Sequence, residues 1–140
     1  MKQDIEPLPE EVVALLTPFF PELDLGRIRV CEGIPRYVRG GPVGYADRYK
    51  IYFAPGVYRV DTIEGLALIA HEVAHCLQYQ KYGAWRFRAR YLAAYFKNRL
   101  RGMNHLRAYR SIPFEIEARE AEDQVYRALK TLQSGLLETL

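Results

Sequence analysis

Cysteine is almost missing from this 140-residue chain: Cys31 and Cys76 are the sole two. They form no Cys-x-x-Cys pair and are too few for a disulfide-stapled scaffold. No apolar run approaches the length a membrane-spanning helix needs. The opening stretch, Met1 to Glu10, has acids and two prolines in place of a basic segment followed by an apolar one, so it does not read as a secretory signal. A cytoplasmic location is expected. Acidic residues are missing from one long segment, since Val73 to Phe114 carries nine Lys or Arg and no Asp or Glu. Histidine is scarce too, with three in the chain.

Hydrophobic residues make up 49% of the sequence and aromatics 13%, enough for one real core, so a single domain over residues 1–140 is expected. After Pro9, Glu10 to Leu16 starts a first helix that Pro18 and Pro21 stop. Gly26 to Cys31 alternates and reads as a strand. Gly33 to Gly44, rich in glycine and proline, reads as a loop or hairpin connection. Tyr49 to Phe53 is a second strand, cut off by Pro55 and Gly56. The rest is helical. Asp61 or Thr62 caps a helix reaching Tyr82 with Gly83 as terminator. A second helix spans Trp85 to Leu100, with Tyr91, Leu92, Tyr95 and Phe96 on one side. A last one runs from Pro113 toward Leu136 on a stripe that includes Ala118, Ala121, Val125 and Leu129. The fold class is therefore α+β.

Two of the three histidines stand in His71-Glu72-Val73-Ala74-His75, inside a helix that is apolar nearly all round. Residues four apart share a helix face, so both imidazoles reach one point, with Glu72 about one hundred degrees around the axis. Burying two imidazoles and a carboxylate among apolar side chains costs several kcal/mol unless they are paired or bind a metal. One zinc ion per chain supplies that compensation, held by His71 and His75. Glu72 stands as general base. The position six after His75, where a metzincin has a third histidine, is Lys81. His105 lies beyond a Gly102-Met103-Asn104 turn, so the third ligand is expected from the acids of the last helix. On the helical wheel Glu115 and Glu122 border its inward side, Glu117 borders the other, and Glu120 points away. Position at the start of the helix favours Glu115.

These residues carry a resemblance. The strand Lys50-Ile51-Tyr52-Phe53 with Ala54-Pro55-Gly56, the run Leu68-Ile69-Ala70-His71-Glu72-Val73-Ala74-His75 with Gln78, and Glu115-Ile116-Glu117-Ala118 are similar to small bacterial zincin-like metallopeptidase domains of the extracellular contractile injection system core family. The resemblance implies a mini-gluzincin fold with a small sheet packed on the buried helix, and zinc on His71, His75 and Glu115, the last within a Glu-x-x-Ala run. Gluzincins often place Asp four residues after the ligand Glu. Here that position is Arg119, so support for the ligands is expected from Gln78 or Asp123.

The expected activity is hydrolysis of a peptide or protein substrate by a zinc-bound water, with Glu72 as base and Tyr109 or His105 as donor to the oxyanion. The strand Tyr49 to Phe53 offers an edge for an extended peptide. The competing expectation is a binding or scaffold module without catalysis, using the basic segment 81–110 toward nucleic acid or a membrane surface. No nucleic-acid motif accompanies those cations. Retention of Glu72 favours the enzyme, because a structural site needs ligands but no base.

Overall fold

A computed structural model of the chain describes residues 5–139, and side chains as far as Leu136. Four strands and five helices follow one another as β1 (Ile5–Pro7), α1 (Glu10–Leu16), β2 (Arg29–Glu32), β3 (Gly44–Asp47), β4 (Lys50–Phe53), α2 (Ile63–Tyr82), α3 (Ala84–Leu100), α4 (His105–Arg110) and α5 (Pro113–Thr139). Short 3-10 turns at Thr17–Phe19 and Leu25–Arg27 bracket the link from α1 to β2. The architecture is α+β, with a mixed sheet in the order β1-β2-β4-β3. β2 and β4 run parallel, while β1 and β3 pair antiparallel on the outside.

The sequence underlies each element. Val12 and Leu16, one turn apart on α1, are buried with Phe20 and Ile28 against the sheet's Val30, Ile51 and Phe53. Thr62 caps α2, its hydroxyl accepting the Gly65 N–H at 3.0 Å. Gly83 closes α2 at φ +79°, a conformation that suits a residue without Cβ, and its N–H donates to the Tyr79 carbonyl. α2 crosses the middle of the molecule, burying Ile69, Ala70, Val73 and Ala74 in the same cluster as Ala118 and Val125 of α5. Small residues at Ala70, Ala74 and Ala118 let the two helices approach closely.

Three differences from the sequence reading affect the site. The strand around Tyr49 to Phe53 is not an edge, because β4 is flanked by β2 and β3. The edges are β1 and β3, and β3 takes only Gly44 from the glycine-rich stretch read as a connection. It escapes pattern reading because Gly44-Tyr45-Ala46-Asp47 has no apolar alternation, and because the Arg48-Tyr49 turn puts a non-glycine residue at φ +58°. On α3, Tyr91 and Tyr95 are half-buried while Leu92 and Phe96 are exposed, so the four do not share one packed side.

Candidate metal centre

His71 and His75, one turn apart on α2, present their rings edge-on with centroids 5.2 Å apart. α5 begins at Pro113, which puts Glu115 in its first turn, and the Ala118 contact with α2 brings the Glu115 carboxylate over both rings. Its Oε1 lies 3.1 Å from His71 Nε2 and 3.2 Å from His75 Nε2. The other oxygen accepts from the Tyr91 hydroxyl at 2.9 Å.

The far nitrogen of each ring is held separately. Glu122 Oε1 accepts from His71 Nδ1 at 2.8 Å, and Gln78 Oε1 accepts from His75 Nδ1 at 2.7 Å. Gln78 is itself fixed by donating through Nε2 to the Phe114 carbonyl at 3.0 Å. Tying down both Nδ1 atoms leaves both Nε2 atoms directed at the same point, the arrangement that orients imidazole ligands. His71, His75 and Glu115 offer ligand atoms that all lie within 4.8 Å of one another, a group that can hold a metal ion.

Charge follows geometry. Burial opposes a charged His71, but hydrogen bonds to Glu115 and Glu122 outweigh it and carry the ring up to about 10. His75 is raised in the same way, burial again being overcome by Glu115. Burial likewise disfavours an ionised Glu115, yet hydrogen bonds from the two histidines hold it well below the usual carboxylate range. A carboxylate between two imidazoles in a buried site is the charge balance that a divalent cation would take over.

Glu72 differs from its neighbours. Burial pushes its carboxyl up, despite the opposing pull of His75 and His71. Its Oε2 is buried without a hydrogen-bond partner, and Oε1 faces the backbone of Gly44 on β3 so closely that a Cβ there would lie 2.8 Å away. An unpartnered buried carboxylate oxygen is costly in a purely structural site.

The other expected residues fall into place around this group. Tyr109 is half-buried beside it, its phenol kept neutral by burial and by the nearby carboxylates of Glu115 and Glu72. His105, exposed at the start of α4, shares a 2.7 Å hydrogen bond with the Tyr95 hydroxyl and stands near Gly40, outside the ligand group. Asp123 and Glu117 are exposed. The support anticipated from Gln78 or Asp123 comes from Gln78 for His75 and from Glu122 for His71. Sequence reasoning missed Tyr91, Gly44 and this part for Glu122. The common inward border of Glu115 and Glu122 on the wheel was the signal for the last.

An α+β domain whose buried central helix and last helix bring two histidines and a glutamate together is thus the class of protein that fold and site define. Residues 7–83, more than half of the chain, match the model of the eCIS core domain. The chain belongs to the eCIS core domain family. The matched span runs from β1 through the end of α2, so it contains His71, Glu72 and His75 and stops before Glu115. No curated protein and no solved structure matches the chain.

Proposed function

We propose that this protein is a zinc metallopeptidase of the mini-gluzincin type. The observation that carries the reading is Glu72: a buried carboxylate with one oxygen unpartnered, next to a His-His-Glu group whose ring orientations are already fixed. Nitrogen and carboxylate donors in this number suit zinc, and His71, His75 and Glu115 would hold it. Bound zinc supplies Lewis acidity toward the scissile carbonyl and toward water.

The chain's own residues supply the rest. Glu72 takes a proton from the attacking water on its free oxygen and returns it to the leaving amine. Its raised proton affinity suits a base working near neutral pH. The phenol of Tyr109, neutral and beside Glu115, serves as hydrogen-bond donor to the developing oxyanion. Substrate would add as an extra strand to β3, whose outer side has no partner among the described strands. A peptide aligned there passes Gly44, and therefore Glu72, because the missing Cβ lets strand and carboxylate approach.

The test compares wild type with Glu72→Gln on a diverse peptide library after equal zinc content has been confirmed. Wild-type cleavage that drops at least about a hundredfold in the variant supports the reading. Cleavage unchanged by the substitution would exclude Glu72 as base. Zinc retention with no cleavage by either protein, across the library, favours a non-catalytic zinc-containing binding module.

A further inference from the structure

Helix α3 has two unlike sides. Its inward side places Phe87 and Asn98 in the interior and directs Tyr91 to Glu115. Its outward side shows Trp85 at 79% exposure, Leu92 at 54%, Phe96 at 59% and Leu100 at 89%. At one hundred degrees per residue these four fall within a sector of about eighty degrees, with the smaller Ala89 between them. Cations border that sector on both sides. Arg99 stands on one flank, beside Arg88 whose guanidinium is already paired with Asp47 at 2.7 Å, and Arg86, Arg90, Lys97 and Arg101 stand on the other, all of them exposed. The helix has no acid.

We propose that this face of α3 is a docking surface for an anionic phospholipid bilayer, on which the helix lies flat. The arrangement answers both parts of such a surface. A Trp, Leu and Phe sector enters the boundary between headgroups and acyl chains, and flanking Arg and Lys side chains reach back to lipid phosphates while their aliphatic stems line the apolar edge. Among the described residues no helix is long and apolar enough to cross a membrane, so the contact is interfacial.

Charge and shape decide against other occupants. Two copies meeting through this face would bring like-charged rows together with no acid on the helix to offset them. A nucleic-acid duplex would meet the cations but leave Trp85, Leu92 and Phe96 pressed against phosphates, to which they contribute nothing. With Tyr91 on its inward side, a docked α3 would hold the Glu115 group close to the bilayer surface.

Trp85 is the sole tryptophan of the chain and so reports directly on its own environment. The experiment mixes the full chain with vesicles of phosphatidylcholine alone or with roughly one-third phosphatidylglycerol, reading tryptophan emission and co-sedimentation. A blue shift and sedimentation with the anionic vesicles are expected, weakening with salt. Leu92→Glu combined with Phe96→Glu should cut partitioning at least about tenfold while far-ultraviolet circular dichroism stays unchanged. If that variant misfolds, Arg86→Gln with Arg90→Gln and Lys97→Gln takes its place, with the same expected loss on anionic vesicles.

Four results would overturn the proposal. They are no blue shift with anionic vesicles, equal binding by a folded variant, a concentration-dependent dimer that shields Trp85 without lipid, and tighter binding to duplex DNA than to the vesicles.

Discussion

Glu122 accepts a hydrogen bond from Nδ1 of His71 at 2.8 Å, while Glu115, two turns earlier on the same helix, meets Nε2 of the same ring at 3.1 Å. One helix therefore grips both nitrogens of one imidazole. The seven-residue spacing of the two acids returns nearly to the same helix face, which makes the double contact possible. The two acids have different tasks in consequence, since Nε2 faces the shared point with His75 and Nδ1 faces away from it.

The difference is measurable in metal affinity. Glu115→Ala is expected to abolish tight zinc binding, because it removes one of the three converging donors. Glu122→Gln keeps an acceptor but loses the charge behind His71, and should weaken binding by roughly 10- to 100-fold. Glu117→Ala, at an exposed position, should leave affinity unchanged. Chelator competition on protein purified without a His tag ranks the three. If Glu122→Ala alone released the metal and Glu115→Ala kept it, the assignment of the two acids would be reversed.

Much of this centre is legible in the sequence because its first part is local. His71, Glu72 and His75 are set by helix periodicity alone, and a helix whose middle is largely buried leaves such residues few partners. Glu115 is a non-local contact, but the acids after Glu72 all lie in one segment, which narrows the choice. The tasks of Glu122 and Asp123 depend on how α5 is rotated against α2. Ala118 and Val125, buried in one cluster with α2, fix that rotation: the apolar stripe shows in the sequence, but the angle at which it meets the central helix does not. β3 is hidden for a different reason: its pairing is a property of β4, which holds it in register from Gly44 opposite Phe53 to Asp47 opposite Lys50. The arginine pairing of Arg88 with Asp47 at 2.7 Å, which ties α3 to the edge strand, is equally invisible without the fold.

A metal ion held by this group would compete with protons for the same nitrogens. Without metal, His71 is held protonated up to about 10, above its ordinary 6.5. A folded-state value above the unfolded one means a stabilising contribution that is complete below about 6.5 and is lost as pH climbs through about 10. Glu115 has the opposite sign: held below its ordinary 4.5, it stabilises above that value and the contribution disappears in acid. The metal-free protein should therefore melt at progressively lower temperature as pH rises across the His71 window. Zinc binding near neutral pH must displace the His71 proton, so calorimetry in buffers of different ionisation enthalpy should show release of at least about one proton. Buffer-independent heats would mean that the ring is already neutral before the metal arrives.

Two glycines would separate the proposed catalysis from stability. At Gly44 a Cβ would lie 2.8 Å from Glu72 Oε1 and 3.1 Å from its Cδ, so the obstacle is the end of a flexible side chain. The carboxylate can swing away, and Gly44 is not among the residues with positive φ, so alanine suits the strand backbone. Gly44→Ala is expected to change stability by less than about 1 kcal/mol and to keep zinc, while displacing Glu72 and lowering peptidase activity at least about tenfold. At Gly65 the added Cβ would meet the Arg59 carbonyl oxygen at 2.1 Å and the Thr62 hydroxyl at 2.8 Å. Those atoms belong to the backbone and cap that start α2, and they have no free end to move. Gly65→Ala should therefore cost about 1–3 kcal/mol, lowering the melting temperature by several degrees. Thermal melts, zinc content and peptide cleavage measured on both variants give the pattern. A Gly44→Ala protein with full activity would show that Glu72 does not need its position under β3, and a Gly65→Ala protein as stable as wild type would show that the Arg59 loop can retreat.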